Sequence, residues 1–163
     1  MSDSLKAVEV KTTSLSYLGW RGELLAELAL ARVPGLTIEK RPARLTADFR
    51  FDFRVTTKKG AQFFVEIDAF SSFDLDIAEV ETVPELKWTL LAHLVHYARQ
   101  SGTLVLLFVF DADTGHGRYL RLDTLPEPDL QARRLTVRLP LENTITRENL
   151  RKLISELPVP PKS

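Results

Sequence analysis

The sequence predicts an α/β domain, more closely of the α+β type, in which a mixed central β-sheet is flanked by helices. Three patterns predict it. Apolar residues recur at helical spacing over 16–33 and 84–101, apolar and polar residues alternate over 49–56 and 61–70, and residues 103–110 form a continuous apolar run. These patterns are typical of amphipathic helices, half-buried strands and a strand covered on both faces. Their order along the chain favours a sheet with helices packed on its faces.

Length and composition limit the class of protein. The 163 residues suit a single domain, and the 44% hydrophobic and 27% charged fractions are those of an ordinary globular protein. The chain has no cysteine, which excludes disulfides, iron–sulfur clusters and cysteine nucleophiles. Its N-terminus lacks a signal-peptide pattern and its longest apolar run is far shorter than a membrane span. We therefore expect a soluble, cytoplasmic protein with no membrane partner.

The N-terminal third is predicted to contain a leader, a helix and a short strand. Residues 1–15 lack a convincing period and are assigned to the leader. Ser16 is a suitable N-cap, and Pro34 ends the helix that follows. The predicted apolar stripe of this helix consists of Leu18, Leu24, Leu25, Leu28 and Ala31. Residues 36–41 are a candidate strand.

A β-hairpin is predicted next. Residues 49–56 and 61–70 alternate between apolar and polar side chains, and Lys58-Lys59-Gly60 lies between them. Glycine supplies the left-handed position that a short hairpin loop needs. Closing the turn with Thr57 opposite Ala61 fixes the register of the two strands.

This register gathers three carboxylates. Asp52 is placed opposite Glu66, and Arg50 is placed opposite Asp68. Because directly opposed residues project to the same face of a hairpin, Asp52, Glu66 and Asp68 are expected together on its more polar side. Carboxylate oxygens are the ligands that hard cations prefer, so the cluster is a candidate site for Mg²⁺ or Mn²⁺. Glu23 would add a fourth carboxylate if the first helix packs beside the hairpin.

The same residues have a purely structural alternative. Arg50 with Asp68, and Arg54 with Glu66, are also suited to cross-strand ion pairs, each worth a few tenths of a kcal/mol. A serine nucleophile is poorly supported, because the sequence has no Gly-x-Ser-x-Gly motif.

A second long helix is predicted after an irregular acidic segment over 71–82. It begins at Pro84 and ends near Gly102, and it offers a surface for oligomerisation or scaffolding. Its apolar stripe consists of Leu86, Leu90, Leu91, Leu94, Val95 and Ala98. After the buried strand over 103–110, the expected elements are a loop over 111–117, short strands over 118–122 and 135–139, a helix capped by Thr146, and a proline-rich tail over 158–163.

Basic and acidic residues are concentrated in different segments of the chain, although the 22 basic and 22 acidic residues give a net charge of zero. Basic residues are concentrated between Lys40 and Lys59, where they are suited to a phosphate backbone. The candidate nucleic-acid-binding residues are Arg44, Arg50, Arg54, Lys58 and Lys59. An alternative of equal weight is that this segment pairs with the acidic residues 66–85.

The order of these parts resembles the PD-(D/E)XK, or restriction-endonuclease-like, superfamily. The residues that carry the resemblance are Gly-Trp-Arg-Gly-Glu at 19–23, Asp52, Glu66-Ile67-Asp68, the apolar strand ending at Asp111, and the strands over 118–120 and 135–139 with a closing helix. More narrowly, the chain resembles an uncharacterised bacterial domain family with a Gly-x-x-Gly-Glu helix. The resemblance covers 16–157, which we take as a single restriction-endonuclease-like domain.

The resemblance implies a metal-dependent endonuclease acting on DNA, in bacterial defence or in mobile elements. It implies Asp52 and Glu66 as ligands of Mg²⁺ or Mn²⁺ and Glu23 as an auxiliary acid. Asp68 departs from the pattern, because most of the superfamily has lysine there to orient water and neutralise charge on the phosphate. Two functions from different classes follow: an active nuclease in which Asp68 is a further ligand, or an inactive nuclease fold that binds nucleic acid or a protein. A homodimer is a further expectation from the superfamily.

Overall fold

The computed structural model describes residues 7–9, 16–43 and 50–161. Its strands are β1 (Val8–Glu9), β2 (Thr37–Lys40), β3 (Phe53–Thr56), β4 (Gln62–Phe70), β5 (Glu85–Leu91), β6 (Val105–Asp111), β7 (Gly117–Arg121) and β8 (Arg134–Pro140). Its helices are α1 (Ser16–Ala31), α2 (Ala92–Ser101) and α3 (Arg147–Ser155).

The strands form two sheets. The larger has the order β2-β3-β4-β6-β7, and β4 and β6 are parallel while the other neighbours are antiparallel. The smaller has the order β1-β5-β8. An α+β domain with a mixed central sheet and flanking helices is therefore confirmed. Val8–Glu9, within the segment assigned to a leader, contributes a strand that pairs in parallel with β5.

Apolar side chains cover both faces of the five-stranded sheet. One face packs against α1 and α3 through residues such as Leu30 and Leu150. The other packs against β5, β8 and α2, where Trp88 and Val95 are buried. Every residue of β6 is buried, as predicted for a strand covered on both faces.

The hairpin forms with the predicted register. Val55 lies opposite Phe63, and Phe53 lies opposite Val65. In the turn, Gly60 has a φ of +86°, and the Thr57 N–H donates to the Ala61 carbonyl at 2.8 Å. The turn chemistry and the pleat therefore fixed this register.

The first hairpin strand is shorter than predicted. β3 begins at Phe53, and Asp52 lies in a bend just before it. The bend moves Phe51 to the opposite face of the sheet from Phe53, and its ring stacks on Phe64 with centroids 5.0 Å apart. The prediction that Phe51 and Phe53 lie on the same face of the hairpin is therefore wrong.

The predicted helix from Pro84 is wrong over its first half. Glu85–Leu91 is strand β5, with Leu86, Trp88 and Leu90 buried at alternate positions. The strand is stabilised by antiparallel pairing with β8, a partner that is distant in sequence. Only the second half is helical, as α2, which ends at Gly102 with φ +65°. An oligomerisation surface on a helix beginning at Pro84 is thereby excluded.

The predicted apolar stripe of the first helix is buried only in part. Leu18 is buried as predicted and Leu25 packs against the core, whereas Leu24 and Leu28 are 42% and 61% exposed. Ala26 and Leu30, outside the predicted stripe, are buried instead. The last helix agrees with the prediction, since the Thr146 hydroxyl accepts a hydrogen bond from the Asn149 N–H at 3.1 Å. Within the described part of the chain, no helix has both the length and the apolar composition needed to cross a bilayer.

Candidate functional site

Asp52 is held at the bend by contacts with two neighbouring segments. Its Oδ2 accepts the Ile67 N–H of β4 at 2.7 Å, and its carbonyl accepts the Arg41 N–H at 2.7 Å. Arg41 follows β2 and has a φ of +50°, a left-handed conformation that is uncommon for a residue other than glycine. The backbone therefore fixes the Asp52 carboxylate against the strand that carries Glu66 and Asp68.

Glu66 and Asp68 lie two residues apart on β4 and on one face of it. Asp68 Oδ2 accepts the indole N–H of Trp88 at 2.8 Å, a bond that joins the two sheets. No donor from the described residues reaches Glu66. The two carboxylates are thus held differently, one by a fixed donor and one by packing alone.

Burial raises the pKa of all three carboxyl groups, and repulsion between carboxylates adds to the shift at Asp52 and Glu66. The pKa of Asp52 is raised from 3.8 to about 6, mainly by burial, with repulsion from Glu23 and Asp68 and partial offset from the Ile67 N–H. Burial and the charges of Asp52 and Asp68 raise the pKa of Glu66 well above its usual range. Burial also raises the pKa of Asp68, against the effect of the Trp88 bond. The structure therefore brings the three predicted carboxylates within electrostatic reach of one another. The predicted placement of Asp52 opposite Glu66 within the hairpin is wrong, because the ladder ends at Phe53 opposite Val65 and Asp52 lies in the bend before it.

Glu23 joins this group because α1 packs closely on β4. A Cβ at Gly22 would lie 3.1 Å from the Ala69 Cβ, so glycine permits the close approach of the helix. Glu23 acts electrostatically on Asp52, and its Oε2 lies 3.9 Å from the Arg41 guanidinium. The fourth predicted acid is therefore at the edge of the cluster, beside a cation.

A cavity between the two sheets opens on Glu66 and Asp68, and Asp52 is not part of its lining. It has a volume of about 260 Å³. Its polar lining comes from Glu66 and Asp68 of β4, Thr89 of β5 and Arg134 of β8, and leucines of β5 and α2 supply the rest. Arg134 is exposed and makes no ion pair within the described residues. The cavity thus combines two half-buried carboxyl groups with an arginine that makes no ion pair among the described residues.

The carboxylate oxygens of this site are suited to a divalent cation only if water or substrate supplies further ligands. Among the residues described, no group of three or more histidine, aspartate or glutamate side chains is arranged so that it could hold a metal ion. Mg²⁺, however, is usually bound through one or two carboxylates and keeps waters and substrate oxygens. The oxygens of Glu66 and the second oxygen of Asp52 fit that smaller requirement, because no donor from the described residues bonds them.

The structure does not bring the predicted basic residues together at the carboxylates. Lys58 and Lys59 are exposed in the hairpin turn, roughly 15–20 Å from Asp52 at the rise of a β-strand. Arg54 is ion-paired with Glu39 of β2, and Arg50 is exposed. Arg44 lies outside the described residues.

The predicted cross-strand ion pairs are wrong. Asp68 bonds to Trp88 rather than to Arg50, and Arg54 pairs with Glu39 rather than with Glu66. Neither carboxylate of β4 forms an ion pair with a described residue. The structural alternative therefore does not explain why these acids are buried.

Sequence patterns missed three residues of this site. Trp88 and Arg134 belong to the smaller sheet, for whose central strand the sequence predicts a helix. Arg41 falls within the predicted basic segment, and no sequence signal shows its left-handed backbone. The alternation Leu86-x-Trp88-x-Leu90 was the available signal for β5.

Neither a comparison with models of known protein families nor a comparison with curated protein sequences finds a match for this chain.

Proposed function

We propose that this chain is a restriction-endonuclease-like protein that hydrolyses DNA phosphodiesters with Mg²⁺ or Mn²⁺ held at Asp52, Glu66 and Asp68. One observation carries the proposal: the three carboxylates lie within electrostatic reach of one another, each is half-buried, and no described cation is ion-paired with them. Charges withdrawn from water are normally paired, because their desolvation is costly. Strongly perturbed groups lining a cavity are typical of functional sites. A bound cation would offset the repulsion that the fold maintains here.

The side chains have separable roles in this proposal. A bound divalent cation polarises a phosphoryl oxygen and lowers the pKa of a water molecule. Asp52 presents one oxygen while the Ile67 N–H holds the other, and the Trp88 indole orients Asp68. No donor from the described residues bonds Glu66, so both of its oxygens are available to the cation. Hydrolysis adds a water oxygen to phosphorus, breaks one P–O ester bond and places the proton on the departing oxygen.

Calorimetric titration with Mn²⁺ tests the metal site without a choice of substrate. We expect binding to wild type that is weakened at least about tenfold in Asp52→Asn, since a charged ligand is replaced by a neutral one. Asp129→Asn, an exposed loop acid, is the matched control and should bind as wild type does. The titration is repeated with duplex DNA present, because substrate oxygens can complete the shell. Absence of binding under both conditions would contradict the proposal.

A second candidate function is a catalytically inactive nuclease fold that binds nucleic acid or a partner protein. It is favoured by Asp68, which cannot supply the positive charge usual at this position and whose oxygen already bonds to Trp88. Assays of DNA cleavage by wild type, Asp68→Lys and Asp68→Asn separate the two. Cleavage by wild type supports the active enzyme, and cleavage by the lysine variant alone supports a decayed site. The asparagine variant controls for loss of charge with the acceptor for Trp88 retained.

The wider setting rests on the resemblance alone. A role in bacterial defence or mobile elements, a protein partner and a homodimer stay predictions. A role for Lys58 and Lys59 at the reacting phosphate is not part of the proposal, since they lie at the far end of the hairpin. If they contact DNA, they do so along the flanking backbone.

A further inference from the structure

We propose that Arg134 is the phosphate-binding residue of the cavity and takes the place of the cation absent from position 68. The inference rests on the proposed function, because it assigns a substrate contact to the same site. Arg134 is on the smaller sheet, whereas the carboxylates belong to the larger one. It lines the cavity together with Glu66 and Asp68.

The charge of Arg134 is available, unlike that of other arginines nearby. Arg138, on the same strand, is paired with Glu85 at 3.1 Å, and Arg54 is paired with Glu39. Arg41, at the other side of the cluster, already interacts with Glu23 and Asp52. Arg134 makes no ion pair among the described residues and is exposed. It is therefore free to donate to an anion.

The position of Arg134 is fixed by the backbone around it. Arg134 pairs with Leu91 at the end of β5, and the carbonyl of the preceding residue, Arg133, accepts the Ala92 N–H at 2.9 Å. These bonds tie the start of β8 to the junction of β5 and α2, which also lines the cavity. The guanidinium thus extends from a fixed backbone position toward the space beside the carboxylates.

The chemistry of the cavity selects a phosphate ester together with a cation. An anion alone would be repelled by Glu66 and Asp68, and a cation alone would be opposed by Arg134. A phosphate bridged to a divalent cation satisfies both sides, since arginine donates two parallel hydrogen bonds to phosphate oxygens and carboxylates accept the cation. Arg134 would therefore orient the phosphoryl group and neutralise its charge without acting as a proton donor.

The test uses inorganic phosphate with Mg²⁺ as the probe and the indole N–H resonance of Trp88 as the readout. That N–H bonds to Asp68 and so reports on the cavity independently of catalysis. The second tryptophan, Trp20, is 67% exposed, and Trp20→Phe assigns the two signals. Arg134→Gln is compared with Arg133→Gln, which loses the same charge one residue away and outside the cavity lining.

We expect phosphate to shift the Trp88 signal in wild type and in Arg133→Gln, with half-saturation raised about tenfold or more in Arg134→Gln. Arg134→Lys should restore part of the affinity. An equal response in Arg134→Gln, or no phosphate response in wild type, would overturn the inference. Titration with Mg²⁺ alone separates the two proposals. A Mg²⁺ response with Arg134-independent phosphate binding leaves the metal site standing, and an Arg134-dependent phosphate response that is the same with and without Mg²⁺ contradicts the metal site only.

Discussion

Trp88 and Asp68 join the two sheets of this protein through a hydrogen bond of 2.8 Å between the indole Nε1 and a carboxylate oxygen. Trp88 is buried against Phe70, with ring centroids 6.3 Å apart. The bond satisfies a buried indole and at the same time lowers the cost of a buried acid. It is therefore both a packing contact and part of the electrostatics of the candidate site.

Replacing Trp88 with Phe should destabilise the fold. The phenylalanine ring keeps much of the apolar contact of Trp88 but has no N–H to donate to Asp68. We therefore expect the free energy of unfolding to fall by about 2–3 kcal/mol. Urea denaturation at neutral pH measures it. Trp20→Phe, on an exposed residue, should change stability by less than about 0.5 kcal/mol. A double-mutant cycle with Asp68→Ala isolates the bond, and a coupling energy near zero would refute its contribution.

Asp52→Asn should stabilise the protein at neutral pH. The pKa of Asp52 is raised from 3.8 to about 6 in the folded state, so the folded state binds more protons than the unfolded state between those values. Its favourable contribution is therefore present below about pH 3.8 and lost as pH rises through about 6. Above that, the charged group costs up to about 3 kcal/mol, which asparagine avoids while still accepting from Ile67.

Denaturation of wild type and Asp52→Asn at acidic and slightly alkaline pH measures this difference. We expect the stabilisation by asparagine to be largest above about pH 7 and to shrink toward pH 4. The comparison between variants cancels the titration of groups that do not interact with Asp52, including His116, whose pKa is lowered by burial and by Arg118. A variant less stable than wild type at neutral pH would be incompatible with uncompensated negative charge at this position.

Arg118→Met should be strongly destabilising. Arg118 is fully buried, and its guanidinium donates to the carbonyls of Leu139 at 3.1 Å and Val80 at 3.0 Å and also to Val83. Methionine leaves these buried acceptors without a donor, which should cost about 3–5 kcal/mol. Arg138→Met, which removes an exposed ion pair with Glu85, is the control and should cost less than about 1 kcal/mol. Similar losses in the two variants would contradict this role of Arg118.

Gly19→Ala and Gly22→Ala should have opposite effects. A Cβ at Gly19 meets nothing within 4 Å, so alanine should stabilise α1 by about 0.5–1 kcal/mol. A Cβ at Gly22 would meet the Ala69 Cβ at 3.1 Å and the Ile67 Cγ2 at 3.3 Å. Overpacking there should cost about 1–2 kcal/mol and move Glu23 away from Asp52. Thermal unfolding measures both, and stabilisation by Gly22→Ala would show that the helix can shift without cost.

Local patterns were sufficient where one segment carries the whole signal. Gly60 and the pleat determined the hairpin register, continuous apolar composition determined β6, and Thr146 determined the start of α3. The register alone also placed Asp52 near Glu66, since it follows from counting residues around one turn. Each of these features has its whole signal within one short stretch of the sequence.

The identity of β5 and the surroundings of the carboxylates depend on segments that are distant in sequence. Leucines over 86–94 suit a helix as well as a strand, and pairing of β5 with β8 selected the strand for 85–91. That choice placed Trp88 against Asp68 and Arg134 beside the carboxylates. Strand alternation in the sequence was enough to place Glu66 and Asp68 on one face of β4. Only the packing of a second sheet decided their burial, their raised pKa values and the cation that faces them, because desolvation and long-range contacts are properties of the folded chain.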